Sequence, residues 1–302
     1  MEPAHAGLIA GLSVAAFSAA NSLIVRWIGA RIPPITLNAW RCTVAALIFL
    51  PLWWSSSGVV PGAHALLWIG LSVLFSIVIG DTSFFLAIKK IGVSKAMPIA
   101  KTYPVFTVLL SRLLLNESLS VLKMLGVALA VGGTALMSRR APSATDGTTT
   151  IEEDVRKSAR EHRNGFLIAI GTAVAWAVGA VILRVSLTTA DVVTVSFFKT
   201  VIAGVLLATL SARVDHVPVQ AVLLDRTKLL LAGATGITLA GAALLLVYST
   251  SLVGAGAAAV YSGLAPLFAV PLGVLIFKER MSIPAAVGCA LAIGGIICVS
   301  MG

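Results

Sequence analysis

The sequence predicts an all-α integral membrane protein in which ten transmembrane helices form two inverted five-helix repeats. Three observations lead to this prediction: the composition, the spacing of the apolar stretches and an internal duplication. Apolar residues make up 58% of the 302 residues, charged residues make up 11%, and the mean hydropathy is +1.01. Soluble domains carry about 25% charged residues, and disorder requires low hydrophobicity. The composition therefore argues against a soluble enzyme and excludes a disordered chain.

The chain is also basic, because 22 Lys and Arg residues against 12 Asp and Glu give a formal charge of +10. Nucleic-acid-binding proteins carry such charge on a basic, water-facing stripe. Here most of the basic residues lie in short loops between long apolar stretches. The sequence therefore predicts the lipid bilayer as a partner, and no nucleic acid.

Ten stretches reach or approach the roughly 20 apolar residues that a spanning helix needs. They lie at 7–28, 36–54, 65–88, 94–115, 121–138, 165–185, 191–211, 229–249, 255–277 and 283–301. In lipid, only helices and closed barrels satisfy every backbone hydrogen bond. These runs exceed the roughly 10-residue strands of barrels, so we expect helices.

The chain divides into residues 1–138, 139–164 and 165–302, and the first and last segments repeat each other. At an offset of 158 residues the repeat aligns Gly7 with Gly165, Arg26 with Arg184 and Arg41 with Lys199. At an offset of 162 it aligns Gly92 with Gly254, Pro104 with Pro266 and Glu117 with Glu279. The middle segment starts with the Ser, Thr, Gly and Pro residues of a flexible linker, and a short charged helix is expected from Ile151.

An odd number of spans in each repeat requires the second repeat to lie inverted relative to the first. The charges agree, since 16 of the 22 basic residues fall in the loops after the first, third, fifth, seventh and ninth stretches. Basic loops face the cytoplasm. We therefore expect a multi-pass protein of the cell membrane, with both termini extracytoplasmic and the 139–164 linker cytoplasmic.

Each repeat resembles an EamA-type unit of the drug/metabolite transporter superfamily. The shared pattern is a mid-helix proline, a glutamate at the end of that helix and glycine-rich packing in the next, as in ALAVGG (128–133) and ALAIGG (290–295). The resemblance covers the chain except the linker, which is longer than the family's usual tight joint. It implies ten helices around a central cavity and the movement of small metabolites, often outward.

Asp81 and Lys101 are the ionisable residues predicted to lie deepest in the membrane. The third and fourth stretches form an antiparallel hairpin that turns near Ile91, and each residue lies ten positions from that turn, which is about 15 Å of helix. Their repeat equivalents are Ala243 and Gly263, so both charges are absent from the second repeat. Two interpretations stay open. Asp81 exchanges a proton while Lys101 holds an anionic group of the substrate, or the two form a structural pair that locks the hairpin.

Further candidate site residues are two basic and six other side chains within spans. Pseudo-symmetry would place Arg41 and Lys199 in opposite leaflets, where they attract anionic substrate at the two mouths of the cavity or snorkel to headgroups. Aromatic side chains with a polar atom suit a pocket wall, although interfacial belts are their usual location in membranes. The candidates for the cavity wall are Trp40, Tyr103, Trp176, Tyr248, Tyr261 and Asn21.

Four prolines interrupt the fourth and ninth stretches: Pro98, Pro104, Pro266 and Pro271. Proline removes a backbone hydrogen bond and clashes with the preceding turn. These residues are therefore expected to act as gating hinges or as static kinks needed for packing.

The sequence favours a secondary transporter that moves a small, amino-acid-like or other polar or amphipathic solute by alternating access, by efflux or exchange and with possible proton coupling. An uncoupled facilitator or a lipid-moving protein is the alternative on the same fold. The four histidines lie at loops or span edges and the three cysteines are scattered, so no catalytic residue, metal site or cofactor is predicted. An intramembrane enzyme or sensor is therefore disfavoured. The expected assembly is a monomer or a homodimer.

Overall fold

The computed structural model describes residues 3–28, 32–56, 58–91, 96, 99–118, 120–137, 152–215, 225–265, 267–268, 271–272 and 283–302. All regular secondary structure in these ranges is helical, which confirms the predicted all-α class. The helices are α1 (Pro3–Ile28), α2 (Pro34–Ser56), α3 (Ala63–Val73), α4 (Thr82–Ile91), α5 (Tyr103–Leu115), α6 (Val121–Met137), α7 (Glu152–Ser186), α8 (Val192–Val214), α9 (Arg226–Gly263) and α10 (Ile283–Met301). A π-helical segment, Leu74–Asp81, joins α3 directly to α4.

Six helical segments are long and apolar enough to cross a membrane. They are Pro3–Asn21, Ile35–Ser56, Ala63–Phe84, Arg163–Ser186, Val192–Val214 and Arg226–Gly263. Shorter apolar helices at Tyr103–Leu115, Val121–Leu136 and Ala286–Met301 coincide with three more of the predicted stretches. Large apolar side chains also cover the outside of the helices, with Leu113 75% and Val121 85% exposed, as a lipid-facing surface requires. The chain is a multi-pass membrane protein, whereas ten spans in two inverted repeats stay a prediction.

Helix α7 includes part of the segment that the sequence assigned to the linker. The helix begins at Glu152 and continues without a break to Ser186. The charged helix expected from Ile151 is therefore continuous with the sixth predicted span. Residues 138–151 lie outside the described part of the chain.

Helices α6 and α10 pack so closely that glycines are required at their contact. A Cβ atom on Gly133 would lie 2.5 Å from the carbonyl oxygen of Gly288, and one on Gly126 would lie 2.7 Å from that of Gly295. At the repeat offset of 162, Gly126 corresponds to Gly288 and Gly133 to Gly295. The contact is therefore reciprocal, and because the lower-numbered residue of α6 meets the higher-numbered residue of α10, the two helices run antiparallel.

The same reciprocity holds for a second pair of helix contacts. Gly7 of α1 packs against Val253 of α9, and Gly165 of α7 packs against Ile91 of α4. Gly7 and Gly165 are equivalent at the offset of 158, while Ile91 and Val253 are equivalent at 162. Each half therefore places its first helix against the other half in an equivalent way.

A short break precedes α5, and the second half contains its equivalent. The amide of Thr102 donates to Ile99 O at 3.0 Å, and the amide of Leu264 donates to Tyr261 O at 3.3 Å. Both pairs span three residues and are related by the offset of 162. Lys101 lies inside the first break, as a turn residue between two helical pieces.

Helix α9 has a break of its own at Gly254, where φ is 82° and ψ is 171°. The carboxylate of Glu117 accepts hydrogen bonds from the amides of Ala255 (2.9 Å) and Gly256 (3.2 Å), which begin the second part of the helix. Arg184 donates to the carbonyls of Thr250 and Ser251, which end the first part. The two charged side chains thus satisfy backbone groups that an interrupted helix leaves unpaired. Glu117, which the repeat aligns with Glu279, therefore caps a helix of the other half of the chain.

Candidate functional site

Asp81 lies at the end of the π-helical segment, and both of its carboxylate oxygens accept hydrogen bonds from other helices. Asn38 of α2 donates its side-chain amide to Oδ2 at 3.2 Å, and Trp176 of α7 donates its indole N–H to Oδ1 at 3.0 Å. Single π-helical turns occur often at functional sites. Three separate elements of the bundle therefore converge on this one carboxylate.

Gly80 makes room for the indole of Trp176. A Cβ atom at this position would collide with Cδ1 of the ring and lie 2.7 Å from Nε1. No residue with a side chain fits this position without displacing the indole. The glycine therefore sets the close approach between the π-helical segment and α7, and with it the hydrogen bond to Asp81.

Lys101 and Asp81 both contact the indole of Trp176. Its Nζ lies over the Trp176 ring at 5.5 Å from the centroid, and 5.9 Å from the centroid of Tyr103. These distances suit cation–π attraction. The indole thus contacts both charges, with its N–H on the carboxylate and its ring on the ammonium. The structure brings Asp81 and Lys101 to one centre, as the sequence predicted, but joined by an aromatic ring.

Tyr103 and Phe84 complete an aromatic group around Trp176. The Tyr103 ring packs edge-on against the indole with centroids 5.9 Å apart, and Phe84 lies 5.3 Å away. The Tyr103 hydroxyl lies 2.9 Å from Oγ of Ser262 and donates to the carbonyl of Ala259 at 3.0 Å. Tyr103 therefore connects the break near Lys101 to the equivalent break in the second half.

Lys199 of α8 reaches the same region through a serine on α3. Its Nζ donates to Oγ of Ser72 at 3.4 Å, and Ser72 donates to the carbonyl of Gly179 on α7 at 2.9 Å. Gly179 lies three residues beyond Trp176, which is about 4.5 Å along a helix. Lys199 also interacts electrostatically with Asp81. Lysines 101 and 199 therefore flank one turn of α7.

Arg41 also interacts electrostatically with Asp81. Its Nε atom is buried and has no hydrogen-bond partner in the part of the chain that the structure describes. The sequence placed Arg41 and Lys199 at opposite mouths of the cavity. The structure places both within electrostatic reach of the same carboxylate, and α2 and α8, which carry the two residues, pack against each other.

The remaining predicted side chains do not join this centre. Trp40 packs beside Ile32, Leu37 and Ala232, and Tyr261 is buried in the apolar cluster around Val260 and Leu264. Tyr248 is 42% exposed. Asn21 accepts a 3.4 Å hydrogen bond from Thr238. Roles of these four residues in transport stay predictions.

The structure describes two of the four prolines that were predicted to act as hinges or kinks. Pro98 and Pro266 lie outside the described residues. Pro104 is the second residue of α5, where proline interrupts no helical hydrogen bond, so it starts a helix at the break instead of kinking one. Pro271 lies in a helical pair of residues, 271–272. Whether any of the four acts as a hinge stays a prediction.

Asn38, Ser72, Gly80 and Ser262 are parts of this site that sequence reasoning missed. Asn38 is the one asparagine in its predicted span, and a polar amide inside a span is a signal that could have been used. The roles of Gly80 and Ser72 depend on which face of their element meets α7, which sequence alone does not show. The described residues contain no group of three or more His, Cys, Asp or Glu side chains placed to hold a metal ion.

Comparisons with known proteins agree with this architecture. A curated relative from Archaeoglobus fulgidus, described as an uncharacterized transporter, is 26% identical over 263 residues, which cover 87% of this chain and 86% of the relative. A protein of known crystal structure has the same fold, with a TM-score of 0.77 and 22% identity over 98% of this chain and 96% of the other. The family model of the EamA-like transporters matches residues 5–139 and again residues 163–301. The chain therefore belongs to the EamA-like transporter family of the drug/metabolite transporter superfamily.

Proposed function

We propose that this membrane transporter moves a small metabolite by alternating access between two inverted five-helix repeats. The observation that carries the proposal is the centre that Asp81 and Lys101 form with the indole of Trp176 inside the helical bundle. Charged groups within membrane spans are costly and mark substrate or ion pathways. Asp81 and Lys101 come from the first half of the chain and Trp176 from the second, so relative movement of the halves would change the centre itself.

The reciprocal helix contacts support the inverted repeat. Antiparallel helices that exchange equivalent glycines, as Gly126 and Gly133 do with Gly295 and Gly288, are what a two-fold axis perpendicular to both helices produces. An axis in the membrane plane relates inverted repeats in many transporters. The contacts of Gly7 and Gly165 follow the same rule.

The paired helix breaks support a central binding site. Secondary transporters often bind solutes where helices are interrupted near the bilayer midplane, since irregular backbone is tolerated in a membrane only inside protein or along a cavity. The break at Lys101 carries a charge, and Tyr103 links it to the break at Tyr261–Leu264. This arrangement suits a solute with both polar and apolar parts, such as an amino-acid-like metabolite.

The distribution of basic residues supports an orientation in the cell membrane with both termini outside the cytoplasm and the 139–164 linker inside it. Transport by efflux or exchange accords with the family resemblance. A proton taken up and released by Asp81 would couple transport to a pH gradient, because a carboxylate in low dielectric exchanges its proton according to the charges beside it.

Flux into proteoliposomes, measured with and without a pH gradient, tests the proposal. A metabolite pool would be screened for counterflow, and any accumulated solute would then be measured for the wild type, Asp81→Asn and the control Asp225→Asn. We expect gradient-driven accumulation in the wild type and the control, and none in Asp81→Asn. Flux that is independent of the gradient would indicate an uncoupled facilitator. Lipid scrambling without solute flux would indicate the lipid-moving alternative and contradict the proposal.

A further inference from the structure

The central site has an excess of positive charge. Away from the ends of the predicted spans, the described residues include one carboxylate, Asp81, and three basic side chains, Arg41, Lys101 and Lys199. The described carboxylates Glu117, Asp191, Asp215 and Asp225 accept hydrogen bonds from backbone amides at helix ends. These four carboxylates therefore cap helices and do not neutralise the positive charge of the central site.

The hydrogen bonds of Asp81 leave the basic groups available. The hydrogen bonds that the structure shows to its two oxygens come from the neutral donors of Asn38 and Trp176. Lys199 has a long contact with the hydroxyl of Ser72, and Lys101 faces aromatic rings. Buried charge is stable only when it is paired and hydrogen-bonded, and here the donors outnumber the acceptors.

Two of the basic groups, Lys101 and Lys199, lie beside one turn of α7. Lys101 lies over the ring of Trp176, and Lys199 is joined through Ser72 to the carbonyl of Gly179, one turn further along the same helix. Arg41 presents a buried Nε without a partner among the described residues. An oxyanion beside this turn would lie between Lys101 and Lys199, and Arg41 of α2 interacts electrostatically with Asp81 of the same centre.

We propose that Arg41, Lys101 and Lys199 form an oxyanion subsite, and that the transported solute carries a net negative charge. This inference rests on the proposed function, because it assigns a substrate class to the same centre. A zwitterion brings no net charge and leaves the excess in place, whereas an anion removes it. The anionic group is a carboxylate or a phosphate, and the aromatic group of Trp176, Tyr103 and Phe84 faces the apolar part of the solute.

Binding to the full-length protein in lipid nanodiscs tests the subsite without any transport step. The probes are 3-phenylpropionate, its uncharged amide 3-phenylpropionamide, and inorganic phosphate, with the melting temperature and equilibrium dialysis as readouts. We expect the carboxylate or phosphate to bind and to raise the melting temperature, and the amide to do neither. Binding of the carboxylate alone or of phosphate alone identifies the anionic group. The proposal is overturned if neither anion binds, or if the amide binds as tightly as the carboxylate.

Variants locate the subsite. Lys199→Gln should weaken anion binding about tenfold or more, since a charge-assisted hydrogen bond is lost, while Lys199→Arg should restore most of it. Lys228→Gln, at an exposed end of α9, serves as the control and should bind as the wild type does. Unchanged anion binding in Lys199→Gln overturns the proposal, and the wild-type comparison of probes decides it if that variant fails to fold. Counterflow of an uncharged or zwitterionic solute would leave the proposed transport function standing while removing the anion subsite.

Discussion

Trp176 donates its indole N–H to Asp81 at 3.0 Å, although the two residues are 95 positions apart and lie in different halves of the chain. The same indole presents its ring to Lys101 at 5.5 Å. One neutral side chain therefore stabilises a carboxylate by hydrogen bonding and an ammonium by its π face. Loss of the N–H donor should therefore affect Asp81, whereas loss of the aromatic ring should affect Lys101.

Replacement of Trp176 by phenylalanine separates the two properties. Trp176→Phe keeps an aromatic face for Lys101 but removes the donor to Asp81, so we expect a loss of about 1–3 kcal/mol in the free energy of unfolding and impaired flux. Trp68→Phe is the matched control, because its indole hydrogen bond to His64 is exposed. Thermal unfolding in detergent measures both variants. Equal small changes in the two would contradict the role assigned to Trp176.

The break at Gly254 predicts a strong preference for glycine. An alanine there would need a φ of 82°, and its Cβ would lie 2.5 Å from a carboxylate oxygen of Glu117. We expect Gly254→Ala to cost about 1–3 kcal/mol of backbone strain and to disturb the cap of the following helix. Gly233→Ala, in the same helix with open space around it, should cause no loss. The comparison uses unfolding temperature, and a stable Gly254→Ala would show that the break is dispensable.

Two neighbouring glycines of α6 test the packing of α6 against α10. Gly133→Ala would place its Cβ 2.5 Å from the carbonyl oxygen of Gly288, whereas Gly132 has nothing within 4 Å. Overpacking against backbone costs about 1–3 kcal/mol. We therefore expect Gly133→Ala to lower the unfolding temperature and Gly132→Ala to leave it unchanged. The reverse order would mean that the two helices do not meet at this face.

Asp191, which immediately precedes the apolar helix Val192–Val214, predicts a pH-dependent contribution to stability. Partial burial favours a higher pKa, but hydrogen bonds from Thr194 and Val193 outweigh it and hold the pKa of Asp191 below its ordinary value of 3.8. Because the folded state has the lower pKa, the stabilisation is present above pH 3.8 and is lost as the pH falls through the folded value.

The corresponding variant is Asp191→Ala, which removes the N-cap of α8 and should cost about 1 kcal/mol at neutral pH. The difference from the wild type should shrink as the pH falls below 3.8, and Asp191→Asn should retain most of the cap at neutral pH. Unfolding curves over a pH series measure this effect. A difference that stays constant in acid would contradict the role of the charged carboxylate.

Counting residues along the hairpin predicted that Asp81 and Lys101 share one depth, and the structure places them at one centre. The count did not predict that Trp176 stands between them. The position of a residue along a helix follows from the rise of 1.5 Å per residue, but the direction of its side chain depends on the rotation of about 100° per residue. The π-helical turns of Leu74–Asp81 depart from that rotation. The residue count therefore predicted that Asp81 and Lys101 lie close together, but not the hydrogen-bond partner of Asp81.

Long-range partners were the other part that sequence reasoning could not supply. Asn38 reaches Asp81 across 43 residues and Glu117 reaches Ala255 across 138. Such pairs depend on which helices are neighbours, which composition and local pattern leave open. Pro104 shows a local limit as well, since a proline within an apolar stretch reads equally as a kink or as the first turn of a new helix.

The equivalent breaks at Ile99–Thr102 and Tyr261–Leu264 have the same backbone turn but hold different residues, Lys101 in one and Gly263 in the other. Two identical halves would make the inward-open and outward-open forms of such a protein mirror each other in energy. A charge on one side alone removes that degeneracy. In the proposed transport cycle the membrane voltage would then act unequally on the two forms through Asp81 and Lys101, at about 2.3 kcal/mol per charge and 100 mV for full passage, because neither residue has a charged equivalent in the second half.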